Sequence, residues 1–167
     1  PYSKANDTIK QGLSGEFAYS YKDAHLHNVY QINIKENTSG VKEAIMEHGA
    51  VGVMYYHSDY NMSWSRKSDC YTYYDTAWAG GGHAVMIVGW NDNFSKDNFE
   101  GLKPSNDGAW LIRNSWGSYC NYFWMSYDTF SLENTAWVFD FVANDGFDNN
   151  YQLDGGIETY RSSNVLS

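Results

Sequence analysis

Residues 80–92 read GGGHAVMIVGWND. This stretch decides the fold. His83 to Trp90 is short, apolar and rich in β-branched residues, with glycines before it and a polar turn after it. That is the signature of a buried strand. A second such stretch follows at 108–118, GAWLIRNSWGS, in which Ala109 to Arg113 reads as a strand punctuated by Asn114. Between them lies the polar loop Asn91 to Gly108, without periodicity, of a length that marks function, mobility or insertion. Two strands joined this way form an antiparallel pair, which brings the start of the first beside the end of the second. His83 and Asn114 are therefore expected to be neighbours.

Working outward, residues 41–56 read VKEAIMEHGAVGVMYY. Val41, Ala44 and Ile45 share one helical face, Thr38 or Ser39 can cap, and Gly49 suits a C-terminal left-handed residue. A helix is expected over Gly40 to His48, then a strand over Ala50 to Tyr56. Val29 to Ile34 and Phe17 to Tyr19 alternate like strands, as do Tyr122 to Tyr127 and Ala136 to Val142. Residues 57–82 read as turn-rich and polar. The expected fold class is α+β, mainly β: an antiparallel, partly closed, barrel-like sheet with one packed helix. Residues 143–167, rich in Asn, Asp, Gly and Ser, read as a linker or a lead into a further domain.

Composition narrows the function. The 167 residues include 7 Trp, 15 Tyr and 8 Phe, too aromatic for a disordered chain. The net charge is −9, and no cluster of Lys or Arg offers a footprint for nucleic acid. No apolar run approaches the ~20 residues of a membrane span. Cys70 and Cys120 allow at most one disulfide, and either a bridge or two free thiols fits the sequence. His25 and His27 form an H-x-H pair that could hold a metal, but no further ligand cluster accompanies them, so no metal is expected. His48 ends the helix, and His57 follows a strand into a polar loop. A chain opening on Pro1 is expected of a processed product or a piece of something longer.

His83 stands apart. It opens the most apolar strand directly after three glycines, where a general base is placed beside an open loop. The amide oxygen of Asn114 can accept from the imidazole and fix its tautomer, and Trp116 can cover the pair from water.

These residues resemble the His and Asn motifs of papain-like cysteine peptidases. In that family a catalytic His opens an apolar strand, and a catalytic Asn precedes a shielding Trp in Asn-Ser-Trp-Gly. The segment 41–56 resembles the helix and strand that precede the His, and Pro1-Tyr2 resembles the family's mid-chain Tyr-Pro-Tyr. The resemblance covers most of residues 1–142 and implies the C-terminal, His- and Asn-bearing half of a papain-like domain. It implies His83 as general base, Asn114 as its orienting partner and Trp116 as shield. Gly82 would offer its carbonyl to a peptide substrate, and Ala84 and Met54 would line the pocket for the second residue before the cut. No cofactor is implied.

The departures are equally specific. Ser118 to Tyr122 replaces the family's second Trp-Gly segment, on the leaving-group side of the cleft. The long insert Asn91 to Gly108 is similar to that of secreted bacterial members, which implies an extracellular or cell-surface location. Neither Cys70 nor Cys120 sits in a segment of the family's Cys-Gly-Ser-Cys-Trp type. The resemblance therefore implies a nucleophilic Cys on the order of 50–70 residues upstream of Pro1, in an N-terminal half that is the expected partner. This chain alone is then expected to be inactive. The competing reading is a non-catalytic papain-like module for peptide or carbohydrate recognition.

Overall fold

A computed structural model describes residues 25–78, 80–143, 160–161 and 165–166. Two compact units emerge, Leu26–Phe141 and a second formed by Pro1–His25 with Val142–Ser167. Elements run in the order β1 (His25–Asn33), α1 (Thr38–His48), β2 (Val51–His57), β3 (Met62–Ser65), β4 (Cys70–Tyr73), β5 (Gly81–Asn91), β6 (Ala109–Arg113), β7 (Tyr122–Ser126), β8 (Leu132–Val142), β9 (Tyr160–Arg161) and β10 (Val165–Leu166). In the second unit β9 and β10 pair antiparallel, Val165 opposite Arg161. The expected strand Phe17 to Tyr19 and most of the tail beyond 143 lie outside the described residues.

The larger unit is an eight-stranded sheet in the order β1-β8-β2-β5-β6-β7-β4-β3 with one helix packed on it. It is mainly β, as the sequence predicts, with two refinements. One pair, β4 with β7, is parallel. The sheet also stays open, with β1 and β3 as its edges.

Helix α1 forms because Val41, Ala44 and Ile45 bury together. Its cap is Asn37, whose side-chain oxygen accepts from the Gly40 N–H at 2.9 Å, rather than Thr38 or Ser39. Asx side chains are among the strongest N-caps. Gly49 ends the helix at φ 83°, and its N–H reaches Ile45 O at 2.8 Å, a left-handed stop that favours glycine.

The hairpin β3–β4 was not expected within 57–82. Met62, Tyr71 and Tyr73 pack on the main core while Ser65 and Thr72 bury their hydroxyls on the opposite face, so both faces are covered and the alternation that marks a half-buried strand is missing. The insert 91–108 also holds a fixed shape without periodicity. Phe94 and Phe99 bury with Ala109 in a small core of their own, and Phe94 stacks on Trp124 at 4.8 Å. The Asp128 carboxylate accepts from the Ser105 and Asn106 N–H groups at 3.0 and 2.9 Å.

The main core lies under β2, β5, β6 and β8. Val51, Val53, Tyr55, Val85, Ile87, Ile112, Ala136 and Val138 meet there with the helix residues. Strand β5 pairs with β2 on one side and β6 on the other, both antiparallel. That centre positions the candidate site.

Candidate active site

Strand β6 delivers Asn114 immediately after its last paired residue, Arg113, and β5 delivers His83 near its start. The His83 Nε2 and Asn114 Oδ1 are 2.9 Å apart. The same Oδ1 accepts from the Ser115 backbone N–H at 2.8 Å. A backbone N–H can only donate, so the atom facing His83 is the amide oxygen. His83 Nε2 must then carry the proton, and in the neutral ring the lone pair is on Nδ1. No hydrogen bond among the described residues uses Nδ1. Asn114 is itself held, buried to 4% exposure with its N–H bonded to Asn121 O at 2.8 Å.

Trp116 stacks on the His83 ring at 5.1 Å with planes 13° apart. The sequence expectation of His83, Asn114 and Trp116 as neighbours is thus met by the backbone pairing of β5 and β6.

Sequence reasoning missed the rest of the cluster. Tyr55 lies opposite His83 in the β2–β5 register and is fully buried. Its ring is 5.7 Å from His83. Its hydroxyl meets His57 Nδ1 at 2.9 Å, and His57 Nε2 meets the Asp59 carboxylate at 2.9 Å. The signal was available: Val51, Val53, Tyr55 and His57 occupy alternate positions and so share one face. The sequence expectation instead has His57 following the strand into a polar loop.

Asp75 was also missed. It is buried, and its carboxylate accepts from the Ser131 N–H at 2.9 Å, from the Ser131 hydroxyl, and lies 3.0 Å from the Tyr73 hydroxyl. This anchors the segment that carries Trp78 and the glycines to His83. Gly80, at φ 84°, passes so close to His57 that an added Cβ would sit 1.7 Å from the His57 carbonyl oxygen. Only glycine fits there.

Gly82, Ala84 and Met54 lie on the opposite face of the sheet from Val85 and Val53. Met54 is paired with Ala84, and a Cβ on Gly82 would meet the Met54 methyl at 3.6 Å. This outer face is apolar and open: Met54, Trp137, Phe139 and Phe141 are all exposed, and Ala84 lies among the exposed residues of β5.

Both cysteines are free. Cys70 donates to Ser68 Oγ at 3.1 Å, and burial pushes its thiol up. Burial also pushes the Cys120 thiol up, partly offset by the Asn114 side chain. A nucleophilic Cys needs the opposite shift. His27 meets the Asp140 carboxylate at 3.0 Å, which holds Asp140 below the usual carboxylate range. The His25 side chain lies outside the described residues. Among the described residues no cluster of His, Cys, Asp and Glu could hold a metal, and no helix is long and apolar enough to cross a membrane.

The structure is similar to that of the cysteine protease and lectin-like domains of Cwp84, a surface layer associated protein of Clostridium difficile, with a TM-score of 0.65 and 30% identity over 83% of this chain and 31% of that one. The chain therefore spans about a third of that structure's length. The SERA5 proenzyme of Plasmodium falciparum is also similar, at 18% identity and a TM-score of 0.45, over 73% of this chain and 34% of that one. No curated protein matches the sequence. Residues 1–135 match the family model for papain family cysteine proteases, and the chain belongs to that family.

Proposed function

We propose that this chain supplies the base and its orienting amide to a cysteine endopeptidase whose nucleophile comes from an N-terminal half. One observation carries the reading. His83 Nε2 is committed to Asn114 Oδ1 at 2.9 Å beneath Trp116, which leaves Nδ1 for a thiol.

The chemistry follows from that tautomer. Nδ1 takes the thiol proton and forms an imidazolium paired with the thiolate. The thiolate attacks the scissile carbonyl, and the imidazolium returns the proton to the departing amine. Water then attacks the acyl-enzyme with His83 as base, and release of the acid regenerates the thiol. Asn114 holds the ring orientation throughout, and Trp116 limits water around the ion pair. Gly82, Ala84 and Met54 border the path of the substrate chain. The thiols of Cys70 and Cys120, both raised by burial, support a nucleophile from elsewhere. The open apolar face around Met54, Phe139 and Phe141 supports docking of the half that carries it. The relation to a surface-layer-associated protein supports an extracellular or cell-surface setting.

A peptide probe with a thiol-reactive epoxide tests this. In the complete protein it should label one upstream Cys, and His83→Ala should abolish labelling. This chain alone should not react. Labelling of Cys70 or Cys120 in the isolated chain would refute the assignment.

One observation favours the second reading, a module that binds peptide or carbohydrate. A groove of about 690 Å³ is lined by Tyr56, Trp78, Phe130 and Glu133, with Trp78 and Phe130 exposed. Saturable binding by the complete protein with no probe labelling would support it.

A further inference from the structure

We propose that His57 is a positioning residue for the active site: clamped by Tyr55 and Asp59, it holds Trp116 against His83. The inference rests on the peptidase reading above and adds a residue to it.

The rings form one packed group. The His57 ring meets Trp116 edge to face at 4.7 Å and 75°, while Trp116 lies nearly parallel to His83 at 5.1 Å. His57 and His83 are 6.1 Å apart, and Tyr55 lies 5.7 Å from each. Trp116 is thus flanked by two imidazoles. It stands at 36% exposure just before Gly117, which has φ 70°, so its own backbone segment is a tight turn at the surface. Two ring contacts, one with each imidazole, define its seat.

His57 is built to stay still. Its side chain is 13% exposed, and both ring nitrogens are engaged. An ionised Asp59 carboxylate only accepts, so Nε2 donates to it and Nδ1 accepts from the Tyr55 hydroxyl. Burial pushes the Tyr55 phenol well above its ordinary value, which keeps it a donor. The Tyr55 end is buried and the Asp59 end is almost fully exposed, so the Tyr55 bond dominates the clamp. Gly80 closes over the His57 backbone and leaves it no room to shift. Any buried His needs its nitrogens satisfied; what sets His57 apart is its contact with Trp116, the residue that covers His83.

The difference between the two imidazoles follows from their bonds. His57 has no nitrogen left for proton transfer. His83 has one.

The test uses the complete protein. His57→Ala should lower kcat and the rate of thiol alkylation by iodoacetamide about tenfold, with KM within about twofold. His57→Phe, which keeps a ring edge against Trp116, should recover most of the loss. In a Trp116→Ala background, His57→Ala should add less than about twofold, because residues that act through one contact are not additive. A readout without turnover runs beside these. In protein labelled at histidine, the His83 ring protons should sit at ring-current-shifted positions, and His57→Ala should move them toward ordinary values. Unmoved His83 resonances, or losses from His57→Ala and Trp116→Ala that multiply, overturn the proposal. A wild-type protein that neither turns over peptide nor reacts with the probe would overturn the peptidase reading instead, and the resonances would still decide the positioning role.

Discussion

Strands β8, β2 and β5 present two faces of unequal finish. Inward, Val51, Val53, Tyr55, Val85, Ile87, Ala136 and Val138 are closed into one core. Outward, the alternate residues of the same strands leave Met54 40%, Phe139 37% and Phe141 59% exposed. Strand alternation puts both sets on one backbone, so the contrast is not one of composition. The inner face is complete within this chain, and it fixes the geometry of Tyr55, His57 and His83. The outer face carries the residues proposed to meet substrate and the other half of the enzyme. Orientation of the His83 ring is therefore a property of this chain, while in the proposed function reaction requires the assembly.

The largest expected effect tests whether that division is real. Asn114→Ala in the complete enzyme should lower kcat/KM by on the order of 10²–10³-fold, since an unoriented imidazole presents the wrong nitrogen. Stability should fall by only about 1 kcal/mol, the value of an acceptor lost to the Ser115 N–H. Steady-state kinetics beside chemical denaturation check it. An activity loss explained by unfolding would break the separation between geometry and reaction.

Next come neighbours on one strand. Ile87 is fully buried and Met86 points to the outer face. Ile87→Ala should cost this chain about 3 kcal/mol in denaturant unfolding. Met86→Ala should cost under about 1 kcal/mol. Equal costs would mean that the outer face is already covered. The complementary change, Phe141→Ser, should leave the chain's own stability nearly unaltered and weaken its association with the proposed nucleophile-bearing half about tenfold, measured by titrating the two halves.

What was legible in the sequence follows the same division. Strand β6 and the partnership of His83 with Asn114 were readable because apolar runs and antiparallel pairing obey local rules. Gly49 was readable for the same reason. That Tyr55 and His57 share a face with Val51 and Val53 was readable from alternation, but that this face meets His83 was not, because it lies in a register with β5 that no local pattern contains. The β3–β4 hairpin was lost because its four-residue strands bury both faces, Tyr73 on one and the hydroxyls of Ser65 and Thr72 on the other. Asp75 was unreadable in principle: a buried carboxylate is defined by its donors, and Ser131 lies 56 positions away.

The smallest expected effect sits at the rim of the finished face. Lys42 on α1 reaches the Asp92 carboxylate at 2.5 Å, and the Tyr127 hydroxyl donates to the same oxygen at 2.9 Å. Together they tie the helix to the turn after β5. The Lys42 hydrogen bond holds Asp92 below the usual carboxylate range. A carboxyl with a lowered pKa stabilises the fold above its unfolded value, about 4, and that contribution fades as pH falls through the folded value. Asp92→Asn keeps an acceptor for Tyr127 and removes only the charge. At neutral pH it should cost no more than about 0.5 kcal/mol, because the Asp92 side chain is 56% exposed and water screens the pair. The difference should shrink with added salt and disappear once the pH has fallen below the folded value of Asp92. Denaturant melts of the two proteins across pH check it. A gap that survives at acid pH would show that Asp92 works through its shape against Tyr127, and would move this rim contact from electrostatics to packing.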